Sequence, residues 1–212
     1  MRLLVIDHGC CDPPATRVHA LRAALRPLGA EAVACGPSST PGLAEQPPGL
    51  CGIHLHDIAA ANRQFLAAVR EGSAAAFIAA TADVSASLLG LARETARQAI
   101  AEAVSTLNPE AMFVLHAGIL ADLAIETGVP VTLHVVAADL DAARRSARLE
   151  ELIAAALGSA EAVIAADGDT ARRLATDWLD ASVAAACETW PATPDAAARI
   201  LAACRRAIAC RS

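Results

Sequence analysis

The sequence contains no lysine and no tyrosine, and aromatic residues make up only 2% of its 212 positions. Without lysine there is no Schiff-base chemistry and no Walker-type phosphate lysine. With so few aromatics the core must be built from Leu, Ile, Val and Ala, and few ring faces are left for stacking a sugar or a base. The net charge of −6, with no basic stripe carrying interleaved aromatics, excludes a nucleic-acid surface. Long apolar runs are missing too. Mean hydropathy is +0.43, yet stretches such as Ala74–Ala80 break well short of the ~18–20 residues that span a membrane. No signal-peptide core of ~7–15 apolar residues follows Met1–Asp7. The expectation is a cytoplasmic protein with no transmembrane segment.

Cysteine is present but not in a pattern that binds metal. The seven residues 10, 11, 35, 51, 187, 204 and 210 form an odd set without paired spacing, which predicts free thiols in a reducing compartment.

What the chain does have lies between residues 108 and 175. Three short apolar runs, 111–115, 131–135 and 162–165, each end in a polar residue and are each followed by helical spacing. They read as parallel strands joined by crossover helices. In such sheets ligands sit beyond the carboxyl ends of the strands, where His116, His134 and Asp167 stand. Upstream, Leu3–Asp7 reads as a buried opening strand. Asp12 and Pro13 cap a helix running to about Leu28 that buries Val18, Leu21, Leu25 and Leu28 and ends at Gly29. Ala30–Cys35 reads as a second strand. Residues 36–50 hold four prolines and three glycines and read as a long irregular loop. A helix capped by Asp57 and ended by Gly72, a third strand at Ala75–Thr81 and a clear amphipathic helix over 87–107 follow. Val183–Cys187 reads as a last strand and 194–210 as a closing helix. The expected fold is a single doubly wound, mainly parallel α/β domain over 1–212, with helices on both faces.

Several motifs carry this pattern further: Asn108-Pro109-Glu110, Phe113-Val114-Leu115-His116, Thr127-Gly128-Val129-Pro130, the run from Leu133-His134 to Asp139-Leu140, and Ala160-Glu161-Ala162-Val163-Ile164-Ala165-Ala166-Asp167. In this order they resemble the amino-terminal, acceptor-side Rossmann-like domain of the GT-B glycosyltransferases, family 4-like, over about residues 87–180. That family moves a sugar from a nucleotide donor to a hydroxyl acceptor with retained anomeric configuration. The resemblance implies that His116 and His134 line the catalytic cleft. It also implies a nucleotide-diphosphate sugar as donor substrate, with no tightly bound cofactor. The chain departs from the pattern in two places. Cys10-Cys11 stand where a glycine pair is common, and Val135-Val136-Ala137 replaces the Gly-Thr-Asp that follows the second histidine. Nothing after residue 180 reads as a donor-binding domain, so the implied half-enzyme is expected to be inactive without one.

Each candidate has a plainer alternative. His116 and His134 can hold a sugar hydroxyl, or can be strand-end histidines satisfied by backbone. Gly9 and the amides of Cys10 and Cys11, with Arg17, can cradle a phosphate before a helix, or can form only a tight strand-to-helix turn. A thiol of that pair, with His8 beside it, is also a candidate nucleophile. His54 and His56 are spaced like metal ligands but lack a third partner, which favours a cap and a polar strand edge; no metal is expected. Asp139 and Asp167 read as helix caps. A sugar or another hydroxyl-bearing acceptor, a homodimer partner or a separate donor-binding chain would meet the open cleft. The alternative function is a non-catalytic binding or assembly module derived from the same fold.

Overall fold

The structure is a computed structural model that describes residues 1–9, 16–38, 49–179, 187–189 and 195–211. Seven parallel strands form one sheet: β1 (Arg2–Asp7), β2 (Glu31–Pro37), β3 (Leu50–Ile53), β4 (Ala111–Leu115), β5 (Val131–Val135), β6 (Ala162–Ala165) and β7 (Glu188–Thr189). Their order is β3-β2-β1-β4-β5-β6-β7. The chain therefore winds outward from β1 to β3, returns to the centre at β4, and winds outward again on the other side. The reversal falls between β1 and β4, which pair directly from Leu3↔Ala111 to Asp7↔Leu115. Such a switch point opens a crevice at the carboxyl ends of the strands.

The strands read as continuous apolar runs because both faces are covered. All five residues of β4 and of β5 are buried. One face carries Leu4, Ile6, Val114 and Leu133 against α5 (Ala86–Leu107) and its neighbours. The other carries Leu3, Val5, Phe113 and Leu115 against α1 (Thr16–Leu25) and the closing helix α10 (Ala196–Arg211). This is the expected doubly wound α/β class.

The crossover α5 spans 22 residues. Its N-cap Ser85 accepts the Leu88 amide at 3.3 Å, and Asn108 ends it in the left-handed region at φ 48°, with Pro109 barring any continuation. Leu89, Ala92, Ala96 and Ile100 form its buried stripe.

Four expectations are corrected. Ala75–Thr81 is not a strand but lies in the helix α4 (Ala74–Asp83). Alanine is the best helix former, and the Ser73 hydroxyl caps the first turn by accepting the Ala76 amide. The helix expected from Asp57 to Gly72 is two, α2 (His56–Ala59) and α3 (Arg63–Glu71). Asn62 breaks it, because its extended backbone lets the side chain cap α3 through the Phe65 amide at 3.0 Å. The third correction concerns the end of the loop assigned to 36–50, where β3 begins and is short enough to escape the pattern. Leu28, expected to be buried, is 43% exposed because α1 tightens into a 3₁₀ turn over Arg26–Leu28 before Gly29. Most of that loop, 39–48, lies outside the described residues, as do Asp12, Pro13 and the 183–186 part of the last expected strand.

Candidate functional site

The residues of interest gather at the carboxyl ends of β1, β4 and β5. His8 follows β1 and is fully buried. Its Nδ1 lies 2.8 Å from the Leu115 carbonyl, and its Nε2 accepts the Leu120 amide at 3.1 Å. A carbonyl can only accept and an amide can only donate, so the network assigns a neutral ring protonated at Nδ1. Burial, then the neighbouring charge of His116, pushes its pKa down from 6.5 to about 4, against the Leu115 carbonyl, Asp139 and Asp7, which favour the charged form. His8 is a bracket that ties the exit of β4 to the loop behind it.

His116 immediately follows β4 and is 4% exposed. Its backbone sits in the left-handed region at φ 77°, which costs a residue bearing a Cβ about 1–2 kcal/mol. Two contacts hold it there. The His116 amide donates to the His134 carbonyl at 2.8 Å, and Nδ1 lies 3.0 Å from Asp139 Oδ1. Asp139 thus fixes the plane of the His116 ring through Nδ1.

Asp139 is completely buried on the first turn of α7 (Ala137–Ala143). Its Oδ2 also accepts the amides of Ala117 at 3.0 Å and Val136 at 3.1 Å. One carboxylate thus closes the start of a helix, fixes the loop after β4 and orients His116. The expectation of a helix cap covers only the first of these.

His134 is on β5, 3% exposed. Its ring stands edge-on to that of His116 with centroids 6.5 Å apart, and 6.3 Å from Phe113. The His8 and His116 rings are also edge-on, at 6.3 Å. Three buried imidazoles therefore form a row across the switch point. His116 and His134 were expected at separate strand ends, and the structure brings them together. His8 and Asp139 complete the group. Their signals were a histidine directly after the opening strand and an acid five residues beyond His134.

Close packing fixes this row. A Cβ on Gly118 would lie 2.6 Å from His8 Nε2 and 2.9 Å from Ile78 Cγ1, and the two hydrogen bonds on His8 prevent its ring from yielding. Gly36, at the end of β2, lies so close to the exit of β1 that a Cβ would sit 2.5 Å from the Asp7 carbonyl.

The expected phosphate turn is only partly described. Gly9 is buried and its amide donates to Asp7 Oδ1 at 2.9 Å. Cys10 and Cys11 lie outside the described residues, and so does the Arg17 side chain, although Arg17 is the second residue of α1. His54 and His56 do not share a strand edge, since β3 ends at Ile53 and His56 opens α2, with Nε2 2.9 Å from Arg70. No cluster of potential metal ligands occurs among the described residues. Asp167 is the N-cap of α9 (Gly168–Asp177), accepting the Thr170 amide at 2.7 Å; this hydrogen bond holds its carboxyl below the usual range. No helix among the described residues is long and apolar enough to cross a membrane.

No protein-family model and no curated protein matches the sequence. Solved structures do. The UDP-GlcNAc 2-epimerase of Neisseria meningitidis, bound to UDP-GlcNAc, superposes with a TM-score of 0.52 at 12% identity, over 94% of this chain and 48% of that one. The epimerase of Methanocaldococcus jannaschii gives 0.53 at 11%, over 90% and 45%. A sucrose-phosphate synthase structure from Thermosynechococcus elongatus gives 0.57 at 12%, over 97% of this chain and 98% of that one.

This chain has the fold of one Rossmann-like GT-B half. At these identities the likeness concerns fold alone. The chain spans about half the length of the epimerases it matches, and its histidine row lies at the carboxyl ends of the strands, where open α/β sheets have their crevice.

Proposed function

We propose that this chain is the acceptor-side half of a nucleotide-sugar enzyme, a retaining glycosyltransferase in type, which needs a donor-binding half to act. The observation that carries the reading is His116. A histidine is held in left-handed backbone by a buried carboxylate, beside a second histidine, at the switch point of the sheet. Strain of this kind persists where the surroundings over-determine it, and it is concentrated at functional sites. The neighbours support the substrate class, since the Neisseria protein holds UDP-GlcNAc.

In this reading the His116 ring hydrogen-bonds a sugar hydroxyl while Asp139 holds Nδ1 and the ring plane. His134 packs against His116 and limits the space available to the sugar. The turn Gly9-Cys10-Cys11, with Arg17, faces the donor diphosphate. The Gly9 amide is already engaged by Asp7 and is not among the donors of that turn. The second half closes the cleft, excludes water and aligns the acceptor.

The test is to follow the imidazole NMR signals while adding UDP, UDP-GlcNAc and free sugars to about 10 mM, a range that detects millimolar binding. The His116 and His134 signals are expected to move with the sugar, while that of His8 stays. If none moves with any of these ligands, the reading fails. The chain alone is expected to release no UDP from UDP-sugars, and turnover at the rate of a two-domain enzyme would overturn the need for a second half.

The second reading, a non-catalytic assembly module, is favoured by the near-complete burial of all three rings. Light scattering distinguishes the two. A stable dimer that ignores sugars supports the module, and a monomer that binds them supports the half-enzyme.

A further inference from the structure

Away from the histidine row, two thiols face each other across the outermost pair of strands. In the parallel register of β2 and β3, Cys35 is the direct partner of Cys51. Registered residues on neighbouring strands stand about 4.8 Å apart and project to the same face, within the roughly 4.4–6.8 Å Cα separation that a disulfide spans. Both pack into the same core beneath α5, where Cys51 Sγ lies 3.7 Å from the Ala99 carbonyl. Both are reduced thiols, Cys35 buried and Cys51 half-buried. β3 is the edge strand, so Cys51 is the thiol that solvent reaches first.

We infer that Cys35 and Cys51 form a peroxide-reactive dithiol, with Cys51 as the attacking thiol and Cys35 as the resolving one. The Cys51 thiolate attacks one oxygen of a hydroperoxide, the O–O bond breaks, and hydroxide leaves to be protonated to water, giving Cys51 sulfenic acid. Cys35 then attacks the Cys51 sulfur, the S–O bond breaks, and the second water departs with the Cys35 proton. In sum, two thiols and one hydrogen peroxide yield one disulfide and two waters. A hydrogen bond from Cys35 lowers the Cys51 pKa, against burial and the charge of Glu102, which raise it. Cys204 contrasts with this: burial pushes its thiol up to about 11, which disfavours the reactive thiolate.

The test uses the whole reduced chain with a small excess of hydrogen peroxide, followed by intact mass and non-reducing peptide mapping. The expected product has lost about 2 Da, reverts with dithiothreitol and contains the Cys35–Cys51 peptide pair. Cys51→Ser abolishes that pair. Cys35→Ala leaves a Cys51 sulfenic acid that dimedone traps. Because the wild-type map is decisive by itself, the conclusion does not depend on either variant folding. Oxidation at the exposed Cys210 while Cys51 remains a thiol, or a disulfide joining Cys51 to any other cysteine, overturns the proposal.

Discussion

The exits of β1 and β4 are adjacent and alike in sequence, each an apolar strand followed by a histidine and, within two residues, a glycine, yet the two histidines do different work. His8 has both ring nitrogens bound to main-chain groups and lies in a pocket that Gly118 leaves just wide enough. His116 has Nδ1 against a buried carboxylate and a backbone forced into the left-handed region. The first arrangement joins two segments of chain. The second maintains a ring orientation at some cost in backbone energy, as expected of a group kept for recognition. A buried histidine is therefore better classified by what occupies its nitrogens and by its backbone than by its burial.

The most severe test of this contrast removes the group that fixes the β4 exit. Asp139→Ala leaves the Ala117 and Val136 amides and His116 Nδ1 without their buried acceptor, and is expected to lower stability by about 3–5 kcal/mol in urea unfolding. His8→Ala is expected to cost about 3–4 kcal/mol, through a cavity and two orphaned main-chain groups; a loss below about 1 kcal/mol would mean that His8 is no bracket.

Acid tests the buried state of His8 directly. The folded-state pKa of His8 lies below its unfolded value, so the unfolded chain takes up a proton first as pH falls. The stabilisation is complete above pH 6.5 and is lost between 6.5 and about 4, amounting to about 3 kcal/mol. Urea midpoints measured across that window should fall with pH in the wild type and flatten in His8→Gln. Asp7, His116 and Asp139 around His8 are retained in that variant, which serves as the background.

Gly118→Ala is expected to cost about 1–3 kcal/mol by overpacking the His8 ring, and less when combined with His8→Ala, which leaves only the contact with Ile78 Cγ1. The double-mutant cycle reads that coupling directly. His116→Gly tests the strained exit. Relief of the left-handed strain offsets part of the cavity and of the lost Asp139 contact, so the loss of stability should stay below that of His8→Ala. Sugar-dependent signals should nevertheless vanish. A large loss of stability in this variant would make His116 structural, like His8.

Much of the architecture was legible because its cause is local. The strands at 111–115, 131–135 and 162–165 agree residue for residue with β4, β5 and β6, since an apolar run between polar ends has few other ways to be buried. The clear helix over 87–107 begins one residue earlier, at Ala86. Legibility failed where alanine dominates. Ala75–Thr81 has an apolar composition that suits either a strand or a buried helix, and only Ser73 marked its start. The site was half legible. His116 and His134 stand out at strand ends, whereas His8 was noticed only as a neighbour of two cysteines, and Asp139 only as a cap.

By itself the sequence determined the class: parallel strands buried on both faces, crossover helices between them, and no lysine or metal-ligand set for the chemistries those would serve. Periodicity and capping are short-range, and a single chain displays them. Only the tertiary structure decided that β4 returns to lie beside β1, because strand order depends on contacts between residues more than a hundred positions apart. That return places His8, His116 and His134 in one row and gives Asp139 three donors to hold, and it separates a histidine that braces the fold from one that the fold strains to present.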